Sequence, residues 1–299
     1  MEIINTELLC KNFGTTLAID NISIHVNQGE VYGFLGLNGA GKTTLIRMLL
    51  GMIKPNQGSI YLFGQELNAR FNLWNQVGYL VETPYAYPNL TVTENLKVYY
   101  QLRQLNNPAL ISNIIDKLQL TPYQHRQARV LSLGNQQRLG LAKALMHQPK
   151  LLILDEPING LDPEGIVEVR KLLQELAGQG TTIFLSSHIL GEIAKVAHRI
   201  GIIHQGKLIK ELTIKELTEQ LLKKVVVNTA DNQKALEYIT QANYTASLNL
   251  ENELEIYHSA AITHPEKITQ MLVQKNLPPN KVFVFTEDLE NYFLRTIRS

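Results

Sequence analysis

The sequence predicts an α/β fold: a mixed sheet core with an inserted helical subdomain, followed by a small C-terminal α+β domain. Three stretches carry that prediction. Gly36-Leu37-Asn38-Gly39-Ala40-Gly41-Lys42-Thr43-Thr44 fits the pattern G-x-x-x-x-G-K-[ST], between an apolar run at 31–35 and a helix-forming one at 45–50. Lys150-Leu151-Leu152-Ile153-Leu154-Asp155-Glu156-Pro157 is an apolar run ending in two carboxylates, the pattern of a buried parallel strand. From residue 225 the character changes: residues 1–224 carry a net charge of +4 and residues 225–299 one of −3.

Composition bounds the reading. The 299 residues suffice for one large domain or two smaller ones, and 44% apolar with 18% charged residues is globular. A net charge of +1 gives no support to nucleic acid as the main partner. The single cysteine, Cys10, rules out an intrachain disulfide and fits a reducing compartment. No run approaches the about 18 apolar residues that cross a bilayer. The first residues, Met1-Glu2-Ile3-Ile4-Asn5, lack the basic and apolar regions of a signal peptide. The expectation is a cytosolic protein, or one peripheral to a membrane through a partner.

Residues 1–35 alternate apolar and polar positions between turn residues, which predicts short antiparallel strands. Within them Phe13 is a lone aromatic, and spacing alone predicts core packing for it. Gly58–Gly64 and Val77–Val81 are further strands, the second ending at Glu82-Thr83-Pro84. Tyr85-Ala86-Tyr87-Pro88-Asn89-Leu90 is too rich in proline for helix and predicts a loop, its rings either a contact site or tucked in. Residues 91–120 have helical spacing; Thr91 to Glu94 forms a capping-box pattern and Pro108 opens a second helix. A helical subdomain is therefore expected at about 85–147.

The glycine-rich segment carries the first chemistry. Glycines let the backbone turn around a phosphate chain while N–H groups and the helix N-terminus point at anionic oxygens. Lys42 would reach the β and γ phosphates of a nucleotide, and the Thr43 hydroxyl would hold Mg²⁺. A ligand-free turn would need neither the Lys-Thr pair nor both flanks. Ser132 to Asn135 precede a helix with Leu139, Leu141, Ala142 and Leu145 on one face. That start is either a second anion site or an ordinary N-cap. Asp155 would complete the Mg²⁺ shell with Thr43, and Glu156 would polarise an attacking water, unless the two acids simply cap a loop. Pro163 opens a helix to Gln179, Thr181–Leu185 is a strand, and His188 ends it on the same edge as the acids, within reach of a γ-phosphate. A helix, a strand pair and a helix follow to about Lys224. Residues 225–299 then order as β-α-β-β-α-β plus a last helix, the split βαβ or ferredoxin-like pattern.

With these stretches in order, residues 1–220 resemble the nucleotide-binding subunit of an ATP-binding cassette (ABC) transporter, a P-loop NTPase. Gly36–Thr43 matches Walker A, Leu131–Gln136 the signature, Leu151–Glu156 Walker B, Asn159-Gly160-Leu161-Asp162 the D-loop and His188 the switch histidine. The resemblance implies ATP and Mg²⁺ as cofactors and two subunits that sandwich two ATP molecules. It places Phe13 where an aromatic stacks on adenine. It implies that Ser132, Leu133, Gly134 and Asn135 of one subunit contact the γ-phosphate held by the other. Glu156 takes the place of the general base, His188 of the γ-phosphate sensor and Asp162 of a cross-dimer contact. Residues 85–103 fall where this family meets an integral membrane permease, which implies peripheral attachment at the cytoplasmic face of the cell membrane.

The chain departs from the family pattern at three places. Glu82 stands where a glutamine is usual; it still offers oxygen to Mg²⁺ but adds charge beside the phosphates. The signature reads Leu131-Ser132-Leu133-Gly134-Asn135 in place of Leu-Ser-Gly-Gly-Gln, and Ile158 replaces a threonine. Glu82-Thr83-Pro84, Tyr87-Pro88-Asn89-Leu90-Thr91 and Ser186-Ser187-His188-Ile189-Leu190 look most like one branch, the bacitracin-transport and lantibiotic self-protection ATPases. Two other readings stand beside that exporter subunit: a nucleotide-dependent switch on a membrane sensor, and a soluble ABC ATPase of translation or DNA maintenance. The latter class has two cassettes or a long coiled coil, neither visible here. For residues 225–299, regulation, dimer support and plain stability remain equal readings.

Overall fold

A computed structural model describes residues 1–68, 71–82 and 86–298. Thr83 and Pro84, which end the expected strand segment, and Tyr85, the first residue of the expected aromatic loop, lie outside the described residues. The chain divides into two compact units, Met1–Lys215 and Glu216–Ser299.

The first unit opens with β1 (Glu2–Phe13), β2 (Thr16–Ile22), β3 (His25–Asn27) and β4 (Val31–Leu35), then α1 (Lys42–Leu49), β5 (Gln57–Leu62), β6 (Gln65–Glu66) and β7 (Val77–Leu80). Three helices follow, α2 (Val92–Leu102), α3 (Ala109–Lys117) and α4 (Leu133–Leu145). The unit closes with β8 (Leu151–Asp155), α5 (Pro163–Gly178), β9 (Thr182–Ser187), α6 (Leu190–Ile193), β10 (Arg199–His204), β11 (Lys207–Thr213) and the start of α7 (Ile214–Gln220). β1, β2 and β3 pair antiparallel as expected and form one sheet with β5 and β6. β4 leaves that sheet. It lies inside a second sheet of order β11-β10-β4-β9-β8-β7, parallel except for β10–β11. The reason is burial: every residue of β4, β8 and β9 is buried, as a parallel strand covered on both faces requires. One core joins the two sheets around α1, with Ile4, Leu9 and Ile19 against Leu45, Ile46, Phe34 and Phe184.

Local signals in the helical segment hold. Thr91 and Glu94 form a reciprocal capping box at the start of α2. Asn95 Nδ2 donates to three carbonyls, of Tyr87, Leu90 and Thr91, and pins the loop to the helix.

The second unit contains β12 (Lys223–Asn228), α8 (Asn232–Gln241), β13 (Ala246–Leu248), β14 (Leu254–Ile256), α9 (Ser259–Thr263), α10 (Pro265–Gln274), β15 (Lys281–Thr286) and α11 (Leu289–Arg298). Its antiparallel order, β13-β14-β12-β15, is that of the split βαβ pattern. Val225, Val227, Leu254 and Ile256 pack against Ile239, Ile268 and Leu272 of the helices. Residues 259–263 form α9, a short helix outside the β-α-β-β-α-β order read from the sequence. The division after Lys215 also corrects the boundary expected after 224. Tyr292 Oη donates to Gln220 Oε1 at 3.0 Å and Arg295 Nη2 to Gln220 O at 3.3 Å, so the end of α7 is tied to α11.

The seam between β7 and α4 generates two predictions. A Cβ at Gly78 would lie 2.1 Å from Ala144 O of α4, so Gly78→Ala must push helix and strand apart. It should cost roughly 1–3 kcal/mol in a denaturant titration. His147 Nε2 donates to Val77 O at 3.0 Å. Burial, then the neighbouring Arg103 guanidinium, pushes its pKa down to about 4, against the opposing Val77 carbonyl. The unfolded chain therefore binds the proton more readily than the folded one. Stability should fall as pH drops from about 6.5 toward the folded pKa and level off below it. Allowing for the partly exposed ring, His147→Gln should remove roughly 1–2 kcal/mol of this pH dependence, read from denaturation midpoints between pH 7 and 4.

Candidate functional site

Three neighbouring strands build the site. Leu35 of β4 pairs with Ser187 of β9, and Asp155 of β8 pairs with Ser186. The strands therefore end flush, and the residues that follow each of them, Gly36, His188 and Glu156, emerge on one edge. Such carboxyl edges are where α/β sheets hold ligands.

Gly36 to Thr44 form the turn from β4 into α1. A Cβ at Gly36 would sit 2.7 Å from both Ile203 Cγ2 and Ile203 O, so nothing larger fits there. Gly41 has φ 114° and a Cβ there would meet Ala18 O at 2.6 Å. Leu37, Asn38 and Gly39 are exposed at the turn, Ala40 is buried beneath it, and Thr44 is half-buried in the first turn of α1. Lys42, only 6% exposed, donates from Nζ to Gly36 O at 2.8 Å and lies 3.3 Å from Glu156 Oε1.

Thr43 Oγ1 donates to Asp155 Oδ2 at 2.7 Å. A hydroxyl beside a carboxylate is a hard-oxygen pair of the kind Mg²⁺ takes, so these two residues fit the ion. The other carboxylate oxygen, Asp155 Oδ1, accepts from Ser186 Oγ at 2.5 Å, and Ser186 Oγ in turn accepts the Glu156 N–H at 3.1 Å. Glu156 has φ 50°, a left-handed backbone rare outside glycine. Its Oε2 pairs with His188 Nδ1 at 2.9 Å. Gln137 of α4 donates to the carbonyls of Glu156 and Pro157 at 3.2 and 3.0 Å, which fixes this turn from outside the sheet. Glu156 is thus a fixed carboxylate with one oxygen toward a cation and one toward an imidazole, suited to accept a proton.

The remaining expected residues lie elsewhere. Glu82 also has a positive φ, 55°, and its carboxylate faces Arg47 Nη2 at 2.5 Å. Phe13 ends β1 49% exposed, with Lys11 Nζ 5.3 Å from its ring centroid, so it is not core. Ser132 is the N-cap of α4, accepting Asn135 N–H at 3.3 Å. Leu133, Gly134 and Asn135 line a surface cavity with Gly160, Leu161 and Asp162, and Leu133 is 55% exposed. Asp162 caps α5 by accepting Gly165 N–H at 2.9 Å. Ser186, Gln137 and Arg47 were not singled out as site residues from sequence. Their partners are 30, 19 and 35 residues away, and no local pattern reports such pairs.

A family profile described as ABC transporter matches residues 19–159. The chain is 38% identical to the bacitracin transport ATP-binding protein BcrA of Bacillus licheniformis, over 99% of this chain and 97% of that protein. It is 38% identical to the lantibiotic transport ATP-binding protein SrtF of Streptococcus pyogenes, over 68% of this chain and 87% of that one. Among solved structures, the dimeric post-hydrolysis state of the ATP-binding cassette MJ0796 bound to ADP and Pi matches with TM-score 0.66 at 21% identity, over 71% of this chain and 99% of that one.

Ser186 is fully buried, and its hydroxyl is the donor to Asp155 Oδ1 and a second acceptor for the Glu156 N–H. Ser186→Ala leaves the buried Asp155 Oδ1 without the Ser186 donor, while the Glu156 N–H keeps the Ser186 carbonyl at 3.2 Å. It should lower the stability of the first unit by about 1–3 kcal/mol in a urea titration, while Ser186→Thr, which keeps the hydroxyl, should lose less.

Proposed function

Because the chain belongs to the ABC transporter ATP-binding family, and is an ATPase of that family, we propose that it powers a separate membrane permease which exports or removes a peptide antibiotic of the bacitracin or lantibiotic type. The observation that carries the catalytic half is Glu156, held between Lys42 and His188 at the end of β8.

Gly36 to Thr44 cradle the phosphates of ATP, and Phe13 stacks on the adenine. Lys42 turns to the β and γ phosphates, which releases Oε1 of Glu156. Thr43 and Asp155 would hold Mg²⁺, which would supply positive charge to offset the charge that develops on the phosphate oxygens. Glu156 accepts a proton from water as the water oxygen bonds to the γ-phosphorus and the bond to the β-phosphate oxygen breaks. ADP leaves with phosphate, and His188 keeps Glu156 aimed at the water. Ser132, Leu133, Gly134 and Asn135 of a second protomer cover the γ-phosphate, with Asp162 at the contact. Their place around one surface cavity, and the dimeric state named for the MJ0796 cassette, support this sandwich.

The names of the BcrA and SrtF relatives support the antibiotic reading. No helix among the described residues is long and apolar enough to cross a membrane. In this proposal the permease supplies the membrane path and this subunit sits at its cytoplasmic face.

The test compares the purified chain with Glu156→Gln. The unsubstituted chain should hydrolyse ATP, and Glu156→Gln should lose about 10²- to 10⁴-fold in rate yet elute as a dimer in ATP on size-exclusion chromatography. Equal rates would remove Glu156 as base. For the cargo, cells lacking this subunit should become more sensitive to bacitracin or a lantibiotic; unchanged sensitivity to both would overturn that reading.

A further inference from the structure

Helix α1 offers two different partners to a carboxylate on one face. Thr43, which faces Asp155, and Arg47, which faces Glu82, are four residues apart on the same helix. That spacing is one turn, roughly 6 Å along the axis. Glu82 also occupies a left-handed backbone position, φ 55°, of the sort found where the surrounding structure constrains a residue for a purpose. The ion pair is open to solvent, its side chains 38% and 56% exposed, so it is readily exchanged.

We propose that Arg47 is a positioning residue for Glu82. Its guanidinium, carried one helical turn beyond Thr43, holds the carboxylate in competition with the Mg²⁺ shell that Thr43 and Asp155 would form, and so sets how strongly Mg²⁺ tightens nucleotide binding. This rests on the ATPase reading above. A glutamine at position 82 would be neutral and would feel Arg47 only as a hydrogen-bond donor. A glutamate is drawn to both cations, and its share between them depends on Arg47. Arg47 touches neither phosphate nor metal in this scheme; it acts through Glu82.

The experiment measures equilibrium binding of a fluorescent methylanthraniloyl-ATP to the full chain, with excess Mg²⁺ and with EDTA. The ratio of the two dissociation constants is the readout, and no turnover is needed. Arg47→Ala should raise the Mg²⁺ enhancement roughly two- to fivefold, the range of an exposed ion pair. In a Glu82→Ala background the same substitution should change nothing. Arg47→Met, which keeps the apolar stem, serves where the alanine variant does not fold. An unchanged ratio in Arg47→Ala overturns the proposal. So does an equal change in both backgrounds, which would mean that Arg47 acts without Glu82. Failure of the unsubstituted chain to bind the nucleotide at all would overturn the ATPase reading as well, a different result from an unchanged ratio.

Discussion

The register between β4, β9 and β8 is the constraint on which the site depends. One row of pairing aligns Leu35 with Ser187, and a neighbouring row aligns Ser186 with Asp155. The phosphate-loop candidate, the imidazole and the carboxylate each follow their strand by one residue, so they arrive together only if all three strands end flush. Side chains alternate along a strand, so a slip of one residue would turn Asp155 away from Thr43 and Ser186. The register is secured by burial, because every residue of these strands is covered. Stability and chemistry thus share one requirement.

The charges on that edge form a closed set of pairs. An ammonium 6% exposed, as on Lys42, must be paired, and it draws on the Gly36 carbonyl and Glu156 together. The two oxygens of Glu156 go to different partners, Lys42 and His188. One partner can therefore leave without the other. An anion that takes Lys42 does not disorder Glu156, since His188, the Ser186 hydroxyl and the Gln137 amide still hold its side chain and backbone. The carboxylate would then be free of its cation while keeping its place, as the proposed role of proton acceptor requires.

How much of this was legible in the sequence follows from distance along the chain. The loop Gly36 to Thr44, the acids Asp155 and Glu156 and the Thr91–Glu94 capping box are contiguous, so their geometry was written locally. The order of strands and helices in residues 225–299 likewise came from periodicity. Facts that depend on folding were hidden. The apolar run at 31–35 marks a buried strand but does not name its neighbours; covering β4 on both faces places it in the parallel sheet, away from its three predecessors. The boundary was misplaced because charge and apolar runs change at 225, whereas α7 is tied to α11 by side chains more than 70 positions apart. Phe13 was read as core from spacing and as a ring-stacking residue only from resemblance; its 49% exposure sides against the core.

The departure at Leu133 has a structural answer in Gly160. A Cβ at Gly160 would lie 2.3 Å from Leu133 Cδ2, so the larger residue at 133 and glycine at 160 are a matched pair. The leucine fills space over the turn that precedes Asp162, and the two segments become one continuous surface. On that surface Ser132 and Asp162 both serve as helix caps. Capping does not exhaust them. A serine hydroxyl that accepts one N–H keeps its own O–H to donate, and a carboxylate with one oxygen on an N–H keeps the other. The choice between an ordinary cap and an anion site was therefore never exclusive: the cap orients the hydroxyl and leaves its O–H for the γ-phosphate contact proposed above.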